Sequence, residues 1–169
     1  LAASVACELV LCREAADGPG GGALPLADRV AVERAHFGVS IDGDGEACRF
    51  VDECGAEATA EVMLVMLARF LLDRQPGAAI VVEQETTSET TDNLTSAGAK
   101  VVRSESSRAA MDAAMREHQA IFGGGASGRF WFGSQPPLPD GLKTLSLVLT
   151  ILSQSDRPFS SVAKSMNDC

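Results

Sequence analysis

Between Glu57 and Val82 the chain carries the pattern that leaves it least freedom. Glu57 to Asp73 puts Val62, Leu64, Val65, Met66, Leu67, Phe70, Leu71 and Leu72 on most sides of a helical projection. The spacing therefore predicts a largely buried helix rather than one with a wet face. Pro76-Gly77 stops it. Ala78 to Val82 follows as an unbroken apolar run, too short for a helix and without the alternation of a half-exposed strand. Such a run belongs in a sheet covered on both faces.

The rest of the chain repeats that alternation. Thr86 to Ala97 reads as a polar helix closed by Gly98, and Ala99 to Arg103 as a second strand. Ser107 to His118 reads as a helix with Ala110, Met111, Ala114 and Met115 at core spacing, the methionines serving as core filler. Pro136 to Pro139 reads as a rigid loop, and Asp140 as the N-cap of a Leu-rich helix from Gly141 to Ser153. Beyond Phe159 the pattern is weak. Upstream, Ser4 to Arg13 reads as a helix end running into a strand, Asp17 to Gly22 as a flexible connector, Leu26 to Ala35 as a short helix and Phe37 to Ile41 as a strand. Alternation of this kind predicts an α/β fold, a three-layer αβα sandwich around a mostly parallel mixed sheet.

Composition bounds the function. The 169 residues give room for one domain, or one and a part, and 46% hydrophobic content supplies a packed core. A net charge of −9 argues against a nucleic-acid or membrane surface, and no apolar run is long enough to span a bilayer. It does not exclude a phosphorylated sugar, because a bound cation can reverse the local field. Five cysteines make an odd count without a Cys-x-x-Cys, which fits a reducing cytoplasm better than a disulfide framework or a zinc site. A chain that begins at Leu1 rather than Met is read as a fragment or a processed product.

Two stretches carry candidate chemistry. In Asp42-Gly43-Asp44-Gly45-Glu46 three acids alternate with glycines, between Phe37–Ile41 and a strand-like Cys48–Asp52. Crowded carboxylates repel one another, and a hard divalent cation such as Mg²⁺ relieves this. A solvated Asp/Gly turn is the competing reading. A helix-flanked calcium loop is excluded by Ala47, where glycine is required, and by the strand-like flanks. The second stretch is Phe122-Gly123-Gly124-Gly125-Ala126-Ser127-Gly128-Arg129. It satisfies Gly-x-Gly-x-x-Gly by letter, but with a helix before it and an aromatic strand after it, it is read as a hairpin or loop rather than a dinucleotide site. His118 reads as a helix-end dipole partner, and His36 has no acidic or thiol neighbour in local sequence.

Together these stretches resemble the α-D-phosphohexomutases, the phosphoglucomutase/phosphomannomutase family. The family's metal loop is Asp-Gly-Asp-x-Asp-Arg followed by Val-Asp-Glu-x-Gly; here stand Asp42-Gly43-Asp44-Gly45-Glu46-Ala47 and Val51-Asp52-Glu53-Cys54-Gly55. The family's Phe-Gly-Gly-Glu-x-Ser-Gly-His and later Asp-Gly are met by Phe122-Gly123-Gly124, Ser127-Gly128 and Asp140-Gly141, with Gly125 for Glu and Arg129 for His. Ser104 to Arg108 occupies the place of a Thr-x-Val/Thr-Gly-basic turn. The likeness runs from Leu1 to about Phe159.

It implies that residues 1–53 are the end of the family's second domain and 54–169 its third. It implies a fragment of a Mg²⁺-dependent enzyme that interconverts hexose 1- and 6-phosphates of glucose or mannose, with the remaining domains of the full-length enzyme as partners. By resemblance, Asp42, Asp44 and Glu46 hold Mg²⁺, and Gly124, Ser127, Arg129 and Arg108 bind substrate. Ala47 removes the family's loop arginine, and Arg49, two residues on and on the same face of a strand, is the expected substitute. Gly125 removes an acceptor for sugar hydroxyls, worth about 1–3 kcal/mol in a desolvated site. The family's phosphoserine stretch, Ser-His-Asn-Pro, and its phosphate-binding Arg-x-Ser-Gly-Thr-Glu do not occur in the sequence. A degenerate relative acting as a binding or regulatory module is the alternative.

Overall fold

The computed structural model describes residues 7–12 and 25–165. Its main sheet has the strand order β5-β4-β6-β7-β8. β4 (Ala79–Glu83) lies between β5 (Lys100–Ser104) and β6 (Phe122–Gly124), parallel to both. β7 (Trp131–Phe132) and β8 (Leu138–Pro139) extend it antiparallel. The sheet is thus mixed, parallel at its longer strands and antiparallel at one edge.

Helices cover both faces because β4 is apolar on both. Ile80 and Val82 join a core with Leu64 and Leu67 of α2 (Ala60–Leu72), Leu94 of α3 (Ser88–Ser96) and Val148 of α5 (Gly141–Ser153). Ala79 and Val81, one residue out of phase, join Met111 and Met115 of α4 (Arg108–Glu117) and Trp131. This is the three-layer sandwich that the doubly apolar strand demanded. Seven buried residues make α2 its centrepiece, each large side chain contributing about 1.5–3 kcal/mol by removal from water. Hydroxyls or carboxylates cap the helices: Thr59, Thr87, Ser107 and Asp140 each accept a backbone N–H from the first turn.

A second, antiparallel sheet joins β1 (Phe37–Ile41), β2 (Cys48–Asp52) and β3 (Glu57–Ala58), with α1 (Leu26–Glu33) packed against it. It is fastened to the main body by Phe50, whose ring lies 6.3 Å from that of Phe159 in α6 (Phe159–Lys164). The Glu53 carboxylate also accepts the N–H of Ser160 at 3.1 Å.

Several expectations are corrected. Glu57 and Ala58 are a strand, because they pair with Val51 and Phe50 before Thr59 starts the helix. The proline-rich loop supplies an edge strand, tolerable for Pro139 at the rim of a sheet. A strand, not a helix, leads into the glycine turn, and a second strand follows it; the hairpin reading stands and the dinucleotide reading still lacks its helix. The weakly patterned end contains α6, with Phe159, Val162 and Ala163 buried. Residues 7–12 form neither helix nor strand. Ser4 to Ala6, Arg13 and the connector from Asp17 to Gly22 lie outside the described residues.

Candidate functional site

The acidic triplet is the tip of the β1–β2 hairpin, just beyond the Ile41–Cys48 pair. Asp42 N–H donates to Ala47 O at 3.0 Å and Gly45 N–H to Asp42 O at 3.0 Å. Gly45 takes φ +78°, a conformation open to glycine. Asp42 Oδ1 accepts the N–H of Glu46 at 2.8 Å. That N–H is the main reason the Asp42 carboxyl is held below its ordinary value. Asp42 and Asp44 are exposed, while the Glu46 side chain is only 13% exposed.

Two distant segments are built onto this tip. From the β6–β7 hairpin, Gly128 O accepts Cys48 N–H at 2.9 Å, and Arg129 bridges Ala47. Gly128 has φ +73°, and a Cβ there would stand 2.8 Å from Cys48 O. From the start of α5, Gly141 N–H donates to Gly45 O at 2.8 Å. A Cβ at Gly141 would stand 2.7 Å from Ile41 and 2.9 Å from Gly45 O, so the close approach needs glycine. The two motifs, about 80 residues apart in sequence, are thereby one surface.

Arg108 and Arg129 meet at Glu46. Arg108, the first residue of α4, donates to Glu46 Oε1. Arg129 Nε lies 3.6 Å from Glu46 Oε2. Arg49 does not join them: it is exposed on β2 between buried Cys48 and Phe50, and so leaves the opposite face of that strand.

Ser127 is engaged within the loop. Its N–H donates to Glu83 Oε2 at 3.0 Å, its hydroxyl donates to Glu83 Oε1, and it accepts Arg129 N–H at 3.2 Å. Glu83 ends the buried strand β4 and is 3% exposed. It also accounts for Gly125, where a Cβ would lie 2.6 Å from Glu83 Cβ and 2.6 Å from Glu83 Oε2. Gly124 is buried within β6, in register with Val82. Sequence reasoning passed over Glu83. The signal was a carboxylate closing an otherwise apolar strand, which requires buried partners.

The donors do not fit the magnesium ion that the resemblance implies. The resemblance has Asp42, Asp44 and Glu46 share one ion, so their carboxylates would have to turn to one point. Both Glu46 oxygens face guanidinium groups, and one Asp42 oxygen is held by a backbone N–H. Among the described residues no three His, Cys, Asp or Glu side chains are grouped to hold a metal ion. No described helix is long and apolar enough to cross a membrane.

Comparison with known proteins follows the same lines. The chain is 28% identical over 138 residues to the "Phosphohexose mutases" of Xanthomonas campestris pv. campestris, covering 82% of this chain and 31% of that protein. It is 30% identical over 126 residues to the phosphomannomutase of Escherichia coli, covering 75% of this chain and 28% of the relative. The chain therefore spans about a third or less of the curated relatives it matches. In fold it resembles the crystal structure of a phosphoglucomutase/phosphomannomutase family protein from Burkholderia thailandensis, with a TM-score of 0.76 at 24% identity over 82% of this chain and 30% of the other. The family model described as phosphoglucomutase/phosphomannomutase, alpha/beta/alpha domain III, matches residues 59–169. On that match the chain belongs to the phosphoglucomutase/phosphomannomutase family.

Proposed function

We propose that this chain is part of a phosphohexomutase, an isomerase that moves a phosphoryl group between the 1- and 6-hydroxyls of a hexose such as glucose or mannose. The observation that carries the reading is the joining of the acidic turn to the glycine loop, through the Cys48–Gly128 hydrogen bond and the Ala47–Arg129 bridge. Two motifs recognised separately in sequence form one wall. In this reading the phosphoryl-carrying serine and the loop for the substrate phosphate belong to other domains of a longer protein. The wall contributes positioning and charge, which dominate phosphoryl transfer. Arg108 and Arg129 are permanent planar cations suited to phosphate oxygens. The odd cysteine count without a Cys-x-x-Cys supports a cytoplasmic location.

A second reading, a relative that binds hexose phosphate without turning it over, is favoured by one observation. The Ser127 hydroxyl already donates to Glu83, and Gly125 offers no carboxylate of its own. The full-length protein, given glucose 1-phosphate or mannose 1-phosphate with a hexose bisphosphate activator, separates the two. Formation of 6-phosphate supports the mutase. Saturable hexose-phosphate binding without turnover supports the binding module, and neither result would remove both.

A further inference from the structure

At the hairpin tip two of three negative charges are offset without a metal ion. Asp42, Asp44 and Glu46 bring three negative charges, and Arg108 and Arg129 bring two positive ones, the same charge that a divalent ion would supply. Three sequence departures make this arrangement. Ala47 gives up the arginine that the family's loop carries, Glu46 is one methylene longer than aspartate and reaches further, and Arg129 stands where the family has a titratable histidine. The arginines arrive from separate elements, the start of α4 and the loop after β6, and each takes a different oxygen of the one largely buried carboxylate in the triplet.

We propose that Arg108 and Arg129 replace the divalent cation in this chain. The two guanidinium groups offset two of the turn's three negative charges and hold Glu46, and the turn takes up no metal ion while they are in place. For Glu46 to rotate toward a shared ion with Asp42 and Asp44, it must abandon both arginines. Two unpaired cations would then stand beside a dication, an arrangement that like-charge repulsion disfavours. The pair also does what an ion in that position cannot. It ties the hairpin tip to α4 and to the glycine loop through side chains, in addition to the backbone bonds already described.

The test is manganese binding, since Mn²⁺ takes the same oxygen donors as Mg²⁺ and is paramagnetic. The full-length protein is titrated with Mn²⁺ alone, and free ion is read by electron paramagnetic resonance. The natural protein is expected to show no uptake that depends on Asp42 or Asp44. Arg108→Gln/Arg129→Gln is expected to gain a Mn²⁺ site at least about tenfold tighter than any residual binding by the natural protein, and adding Asp42→Asn is expected to abolish that gain. The single variants, each at an exposed side chain (62% and 44%), carry the same expectation at smaller amplitude if the double variant fails to fold. Uptake of one Mn²⁺ by the natural protein that Asp42→Asn removes would overturn the proposal. So would double and single variants that fold and gain nothing. Turnover of hexose phosphate does not enter this readout, so the mutase reading and this one can fail separately.

Discussion

Alanine in place of Gly125 tests how the glycine loop is held. The new Cβ would stand 2.6 Å from Glu83 Cβ and 2.7 Å from Glu83 Cγ, against the 3.4 Å at which ordinary contact begins. A flexible carboxylate end could swing aside, but Cβ is fixed to the strand, and β4 is hydrogen-bonded on both sides. Gly125 is not among the glycines with positive φ, so the cost comes from contact and not from backbone strain. Overpacking a close-fitted site costs about 1–3 kcal/mol. Displacing the Glu83 carboxylate also weakens two hydrogen bonds from Ser127, worth about 1.5–3 kcal/mol each to a charged acceptor. With partial relaxation, Gly125→Ala should cost about 2–4 kcal/mol, a fall in Tm on the order of 5–15 °C for a chain of this size. Glu83→Gly removes the clashing Cβ, Cγ and carboxylate together with the acceptor. In that background, Gly125→Ala should cost under about 1 kcal/mol, giving a coupling of about 1–3 kcal/mol in a double-mutant cycle. Urea denaturation of the four proteins measures this. An equal cost in both backgrounds would refute the account of Gly125 as a consequence of Glu83.

Two further outcomes follow from burial and charge. Burial, with Asp42 and Asp140 nearby, pushes the Cys48 thiol up to about 12, so iodoacetamide at about pH 8 should label exposed Cys54 and spare Cys48 in the folded protein; mass spectrometry showing equal labelling would count against the packing of α5 on the hairpin. For Glu53, burial alone would raise the carboxyl, but the Ser160 hydroxyl and N–H outweigh it and the net shift is downward. A depressed folded value adds stability above the ordinary carboxylate range that is lost as pH falls through the folded value. Glu53→Gln should therefore flatten the decline of the urea midpoint below about pH 4.5; an unchanged acid limb would show that the α6 contact carries no linkage.

The fold was legible where one residue type left a single solution. Ala79 to Val82 had to be covered twice, and Asp140 before Gly141 had to begin a helix. Short paired segments were not legible. Glu57-Ala58 and Leu138-Pro139 are strands because a neighbour's edge accepts them, which no local pattern records. α6 was hidden because its burial depends on Phe50 and Phe37, more than a hundred residues away. At the candidate site the motifs were readable but their side-chain pairing was not. Arg49 was the nearest cation to Ala47 in sequence, yet it stands exposed on β2 and is not one of the two cations at Glu46, and Arg108 and Arg129 arrive from elements whose approach only the tertiary fold defines.

The backbone bonds from Cys48 to Gly128 and from Gly141 to Gly45 have a mechanical consequence. They tie the hairpin tip, the glycine turn and the leading edge of α5 into a single face. Under the proposed function, any closure over a hexose phosphate would move this face as one piece. A substrate would meet a preformed half of its cradle, and the entropy of assembling that half is spent when the chain folds rather than at each encounter.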